Sequence, residues 1–271
     1  MNDAAVVTQT PTNKMLSHKE GNVGTIIFNN PERHNAVSLE MWATTTDIFE
    51  SFRDDPEVRV VVVSGAGGKA FVSGADISKF ESERSSMEAV KHYNVIVGKA
   101  NQTIAEFPKP TIAMIRGYCI GGGLGLALCC DMRIASDNSK FGVPAAKLGL
   151  GYAYPGLKRL VDVVGPAFAK EIFYTGRQFD SAEAREMGLV NRIVKPDELE
   201  SYVKSYADTI AANAPLTLKA VKFTVGETVK DESQRNLARS QELVENCFTS
   251  QDYIEGRTAF MEKRKPVFTG K

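Results

Sequence analysis

Two hydrophobic patterns divide the chain. Up to Pro155, short apolar runs alternate with amphipathic stretches; beyond it only helix-period patterns follow. Residues 23–28 (VGTIIF) read as a strand. Residues 58–64 (VRVVVVS) are β-branched almost throughout, as in a strand covered on both faces. Residues 111–115 form a third run, and 132–135 and 140–143 are shorter ones. Between them, 38–52 repeats its apolar residues at helical spacing. Ser85 and Glu88 form an S-x-x-E box that opens a second helix, and Pro108 and Pro110 stop it near Phe107. The later helices are predicted over 156–164, 166–175, 181–187 (with Asp180 and Glu183 as a capping box), 198–212, 216–229, 232–249 and 250–263. This order predicts an α/β core over 16–200, a helical region over 201–271 and a loose tail over 1–15.

The most informative stretch is 112–131, IAMIRGYCIGGGLGLALCCD. A strand enters a turn of three glycines, Gly121, Gly122 and Gly123, and an apolar helix leaves it. The first N–H groups of such a helix have no intrahelical acceptor, and the helix dipole adds partial positive charge there. The turn is therefore suited to an anion, or to an oxygen that gains charge during a reaction. Close packing of helix on neighbour is the other reading of the same glycines. The dinucleotide pattern G-x-G-x-x-G is not met, and there is no phosphate-loop motif.

Composition narrows the classes. The 271 residues suffice for one large domain, or one with an appendage. Lys+Arg and Asp+Glu both number 33, which speaks against a broad nucleic-acid surface. No apolar run approaches the roughly 20 residues of a membrane helix, and residues 1–15 lack the pattern of a secretion signal. Cys119, Cys129, Cys130 and Cys247 have no zinc-site spacing, and His18, His34 and His92 lie far apart. A cytoplasmic protein with reduced thiols and no metal is the expectation.

The motifs NNPERHNAVS, AFVSGADISKF, FPKPTIAMIRGYCIGGGLGLALCCDMRIAS and DYIEGRTAFMEKRKP together resemble the crotonase superfamily, the enoyl-CoA hydratase/isomerase family, from about Gly21 to Lys265. The resemblance implies a ClpP/crotonase-like spiral of ββα units with a C-terminal helical trimerisation region. It implies a homo-oligomer, trimer or dimer of trimers, acting on an acyl-CoA, with coenzyme A carried by the substrate and no prosthetic group. The amides of Ala75 and Gly122 match the two donors that grip the thioester oxygen as it becomes an enolate. Arg33, Asn35 and Ala36 match the loop lining the CoA site. Ala75, Asp76 and Ile77 match the adenine and pantetheine wall, and Phe260 and Lys263 the place where a helix, often a neighbour's, meets the nucleotide. On their own residues, Arg33 reads equally as a solvated charge, Asp76 as a cap and Phe260 as core.

Two family residues are missing. Family hydratases carry glutamates where this chain has Gly125 and Ala145. Neither residue can transfer a proton, so the resemblance implies enolate chemistry on an acyl-CoA without implying hydration. Tyr152, followed by Tyr154, falls where the family's malonyl-type decarboxylases carry a tyrosine; that branch has histidine where this chain has Ala75. A bound anion near Lys147, in the place of a carboxylate, is a second way to supply the lost chemistry. A third reading is a non-catalytic acyl-CoA-binding protein. A half-buried loop aromatic is the bland reading of either tyrosine.

Overall fold

The computed structural model describes residues 6–8, 12–79 and 83–271. In chain order the elements are β1 (Val6–Thr8), β2 (Met15–Glu20), β3 (Val23–Phe28), α1 (Leu39–Asp54), β4 (Val60–Gly65), β5 (Ala70–Val72), α2 (Met87–Ala105), β6 (Thr111–Ile115), β7 (Tyr118–Ile120), α3 (Gly122–Cys129), β8 (Met132–Ser136), β9 (Lys140–Gly142), α4 (Tyr154–Thr175), β10 (Phe179–Asp180), α5 (Ser181–Glu186), β11 (Arg192–Val194), α6 (Leu199–Ala211), α7 (Pro215–Thr228), α8 (Leu237–Phe248) and α9 (Gln251–Glu262).

A seven-stranded sheet runs β1-β2-β3-β4-β6-β8-β11, antiparallel at β1–β2–β3 and parallel from β3 onward. A four-stranded sheet runs β10-β9-β7-β5. The pairs β4/β5, β6/β7 and β8/β9 each start in the first sheet and cross to the second, and a helix (α2, α3, α4) follows each pair. This repeated crossing makes a spiral of ββα units, the α/β fold expected.

The VVVV run shows why both faces are apolar. Val61 and Val63 enter the main core, with Trp42, Phe49, Phe71 and Leu124. Val60 and Val62 point the other way, onto Leu199, Val203 and Ala207 of α6. Alternation along a strand puts successive residues on opposite faces, so a run covered on both sides must be apolar throughout. Helix α6 thus closes the parallel sheet, and the separately packed helices begin only at α7. The C-terminal end of α3 is held by the buried Arg133, which has no carboxylate partner within salt-bridge distance among the described residues. Its guanidinium donates to Ala127 O (3.3 Å), Cys130 O (2.8 Å) and Leu189 O (2.7 Å). A cation on the last carbonyls of a helix also meets its dipole.

Several local expectations change. Val6–Thr8 pairs with Ser17–Lys19, so part of the segment expected as a loose tail belongs to the sheet. Residues 1–5 and 9–11 lie outside the described residues. The cap of α2 is Ser86, whose Oγ accepts from Ala89 N at 3.1 Å, and not Ser85. The helix predicted over 232–249 is a 3-10 turn, Glu232–Gln234, followed by α8 with Asn236 as its own cap. The strands β2, β5, β7, β10 and β11 were not evident in the pattern, because four are two or three residues long and β2 (MLSHKE) is half polar.

Candidate active site

The three glycines of the turn have three different roles. Gly121 sits at φ 56°, ψ −115°, a conformation that side chains disfavour. A Cβ on Gly123 would lie 2.0 Å from Val72 O, so α3 packs on β5 only without one. Gly122 is constrained by neither: its Cβ would meet nothing closer than Trp42 Cζ2 at 3.6 Å. Packing accounts for Gly123 and leaves Gly122 without a packing constraint. Gly122 is the first residue of α3, where an N–H has no intrahelical acceptor.

The second amide is freed by a single bridge. Val37 pairs in parallel with Ala75. In that geometry Val37 N donates to Gly74 O (2.9 Å) and Asp76 N donates to Val37 O (3.0 Å). Both bonds belong to the residues flanking Ala75, so its own N–H turns to the opposite edge. That edge faces α3: a Cβ on Gly122 would stand 3.9 Å from Ala75 N, and one on Gly74 3.8 Å from Gly122 N. Two amides from separate loops border one small space. Among the described residues neither donates to a protein acceptor. An oxygen placed between them would gain two hydrogen bonds and the positive end of the helix dipole.

Asn35 holds this junction together. It is fully buried at φ 56°, and its side chain accepts from Asn30 N (2.9 Å) and donates to Ala66 O (3.0 Å) and Ala70 O (2.7 Å). The loop after β3 is thereby tied to both ends of the β4–β5 turn. Its side chain is engaged inside the protein and works as a brace. Ala36 is buried beside it. Asp76 is buried too; its Oδ1 accepts from Ser78 N (3.0 Å) and Ser78 Oγ (2.7 Å) and lies 3.6 Å from Arg33 Nη1. Asp76 therefore caps a short turn and anchors the exposed Arg33 at the rim, next to the exposed Ile77.

Gly125 lies one turn beyond Gly122, on the same face of α3. A Cβ there would have one neighbour within 4 Å, the Tyr152 hydroxyl at 4.0 Å. The Tyr152 ring stands edge-on to Phe173, with centroids 4.8 Å apart. Burial pushes its hydroxyl up to about 12, helped by nearby Tyr93 and opposed by Arg84. At neutral pH it is a protonated donor. Ala145, at the second position considered for an acid, is buried in the main core. Lys147 lies against Gly176, on a separate small pocket with Pro144 and Arg177. Phe260 and Lys263 are on α9 and its C-cap; among the described residues neither bonds to the Ala75–Gly122 junction. Phe260 is 82 % exposed, which removes the core reading for it.

Trp42 and Tyr93 lie on two helices that the pattern predicted, and sequence reasoning gave neither residue a role. The structure brings Trp42 against Gly122, and Tyr93, with Arg84 stacked on its ring at 3.7 Å, into the electrostatic neighbourhood of Tyr152. The isolated tryptophan was the one available signal. Among the described residues, no cluster of three His, Cys, Asp or Glu could hold a metal ion, and no helix is long and apolar enough to cross a membrane. All four cysteines are unpaired, and burial pushes Cys129 up to about 11.

A ββα spiral with two converging free amides is an arrangement able to hold a carbonyl oxygen. Comparison with known proteins makes the class specific. Residues 18–271 match the enoyl-CoA hydratase/isomerase family. The crotonyl-CoA hydratase of Syntrophomonas wolfei is 36% identical over 257 residues, covering 95% of this chain and 98% of the relative. The (E)-benzylidenesuccinyl-CoA hydratase of Thauera aromatica is 35% identical, covering 92% and 96%. A crystal structure of an enoyl-CoA hydratase/carnithine racemase from Magnetospirillum magneticum superposes with a TM-score of 0.92 at 39% identity, covering 97% of each chain. The chain belongs to the enoyl-CoA hydratase/isomerase family, a crotonase-superfamily group of acyl-CoA enzymes.

Proposed function

We propose that the thioester oxygen of an acyl-CoA sits between Ala75 N and Gly122 N, and that the enolate formed there takes its proton from the Tyr152 hydroxyl. Coenzyme A enters as part of the substrate along the rim of Arg33, Ala36, Asp76 and Ile77, braced by Asn35. Phe260 and Lys263 reach the nucleotide from another copy in a homo-oligomer, a trimer or a dimer of trimers. The balanced charge speaks against a broad nucleic-acid surface, and the unpaired thiols suit the cytoplasm.

The observation that carries this reading is the pair of unengaged amides around one space, with the Tyr152 hydroxyl one helical turn away. Tyr152, held protonated, donates and does not abstract. Gly125 and Ala145 supply no base. A route that reaches the enolate without one is loss of CO2 from an α-carboxylated acyl thioester. The breaking C–C bond leaves its electrons on the thioester as the enolate, CO2 departs, Tyr152 protonates the α-carbon, and solvent returns the proton to the phenolate. Hydration, the activity in the names of the relatives cited above, would need a base to activate water.

The test offers crotonyl-CoA, a 3-enoyl-CoA and methylmalonyl-CoA to the purified protein. CO2 release from the last, lost in Tyr152→Phe, is the expected result. Vigorous hydration of crotonyl-CoA would overturn the assignment of Tyr152, and tight acyl-CoA binding with no turnover of any thioester would make the chain a non-catalytic binder. Gly122→Pro removes one donor N–H at the first helical position, where proline fits. Its turnover is expected to fall about 10²- to 10³-fold, with the melting temperature nearly kept.

A further inference from the structure

Arg133, on β8, is a cation only 6 % exposed, and it carries more charge than its bonds need. Its Nη1 donates to Cys130 O (2.8 Å) and Ala127 O (3.3 Å), which closes the last turn of α3, and its Nε donates to Leu189 O (2.7 Å). Many helices satisfy such carbonyls with a glycine cap and no charge at all. Burying a cation without a counter-charge is costly. The groups around Arg133 do not offset it. Cys119, Cys129 and Cys130 lie within reach of its charge, and burial pushes all three thiols up, so they stay protonated and neutral. The carboxylate whose charge reaches it is Asp131, and that group is already engaged. Its Oδ2 accepts from Thr111 N (2.7 Å), Thr111 Oγ1 (2.9 Å) and, on α7, Lys222 Nζ (2.8 Å). Asp131 and Lys222 cancel, and Arg133 leaves one positive charge behind α3, the helix whose first residue is Gly122.

We infer that Arg133 is a positioning residue for the oxyanion site: it fixes the last turn of α3 and backs that helix with a buried positive charge that favours the enolate over the neutral thioester. This rests on the acyl-CoA reading above and deepens it at the same site. The effect has two parts. The last carbonyls of α3 carry partial negative charge, which opposes an anion at the other end of the helix, and Arg133 covers them. Its net charge then acts along the helix. The eight residues of α3 span about 12 Å. At roughly 12–15 Å and an effective dielectric constant of about 20, one buried charge favours a unit anion by about six- to tenfold. Leu124, Leu126 and Ala127 are fully buried along the way, so water and salt screen this field little. The uncharged thioester gives the field no net charge to act on, so the help goes to the enolate alone.

Bound acetoacetyl-CoA tests this. It becomes an enolate by losing a C2 proton to solvent, and the enolate is read by its ultraviolet absorbance as pH is raised. In the wild type the bound ligand is expected to ionise more readily than the free one. Arg133→Gln removes the charge and keeps a donor for the carbonyls; it is expected to make the bound enolate about six- to tenfold less favourable, with the affinity for butyryl-CoA close to that of the wild type. Arg133→Lys keeps the charge without the fork of donors and is expected to stay near the wild type. Lys222→Met leaves the three bonds of Arg133 in place and sets the Asp131 carboxylate against it; a shift in the same direction is expected, and this variant decides the case should Arg133→Gln fold poorly. Ionisation unchanged in Arg133→Gln, or in Lys222→Met where it stands in, would reduce Arg133 to a brace of α3 and leave the oxyanion site standing. So would a shift as large in Arg133→Lys as in Arg133→Gln. Acetoacetyl-CoA that ionises no more readily on the wild type than in solution would remove the oxyanion reading and this inference with it.

Discussion

The spiral core and the last three helices bury their apolar residues in different ways. In the core, each valine of β4 has a partner surface, those at 61 and 63 in one cluster and those at 60 and 62 in the other. In α7, α8 and α9, Val221, Val225, Phe248, Phe260 and Met261 are all more than half exposed. Several of them line a groove of about 1130 Å³ that also takes in Leu216, Tyr253 and Phe268. The core completes itself within one chain. The C-terminal helices present a surface that a second copy would cover, which is the place the proposed oligomer gives them. In the proposed reading the two regions also divide the site: both amides, Tyr152 and the rim of Arg33, Ala36, Asp76 and Ile77 come from the core, and Phe260 and Lys263 come from the helices.

The sharpest way to break the comparison is to disturb the core where it allows no adjustment. Gly123→Ala places a Cβ 2.0 Å from Val72 O, a backbone atom that cannot swing aside. A loss of about 3 kcal/mol or more is expected, seen as a lower melting temperature or insoluble protein; a variant as stable as wild type would mean that α3 and β5 are less tightly packed than described. Next in size is the helical surface. The double substitution Val225→Asp with Phe248→Asp removes two large apolar contacts, each worth roughly 1.5–3 kcal/mol when covered. Light scattering should show smaller particles, with the far-UV spectrum of the core retained. Particles of unchanged size would place the partner surface elsewhere.

Two pH responses sharpen the contrast further. The raised Tyr152 binds its proton more tightly in the folded state than in the unfolded one. Its contribution is therefore complete below about pH 10 and is lost as pH rises from about 10 toward about 12; Tyr152→Phe should remove that part of the alkaline fall in thermal stability. In the C-terminal region, Glu255 is lowered to about 2 by its bonds from Arg264 and Val267 N. Those bonds are present above the ordinary glutamate range and weaken as pH falls through it toward about 2. The effect is small and local, read as faster hydrogen exchange at Val267 with the exchange of β4 amides unaltered.

Much of the site was legible as backbone pattern. Three glycines ahead of an apolar helix marked the turn at 121–123, because a helix start leaves N–H groups open wherever it occurs, and the family resemblance pointed to Gly122 within it. The Asp180–Glu183 box was legible for the same reason: both partners lie within one turn, and Asp180 Oδ1 accepts from Glu183 N at 2.9 Å. Ser85 and Ser86 show the limit. Both are serines near a helix start, and the pattern favoured Ser85 because Glu88 completes a box with it, yet the chain enters α2 one residue later. The short strands escaped notice since a three-residue segment such as Tyr118–Ile120 is set by its neighbours in the sheet more than by its own residues.

The sequence by itself determined the two hydrophobic periods, the glycine turn and the absence of carboxylates at 125 and 145. These are local properties, settled by which residues follow one another. Only the tertiary structure decided that Ala75 N faces Gly122 N, that the Tyr152 hydroxyl stands against Gly125, and that Trp42, Tyr93 and Arg84 gather beside them. Those groups lie on separate segments of the chain, and their meeting depends on contacts such as the bridge from Val37 to Ala75 and the close seat of Gly123 on Val72. Contacts between distant segments are fixed by packing, which a pattern along one strand of sequence does not contain.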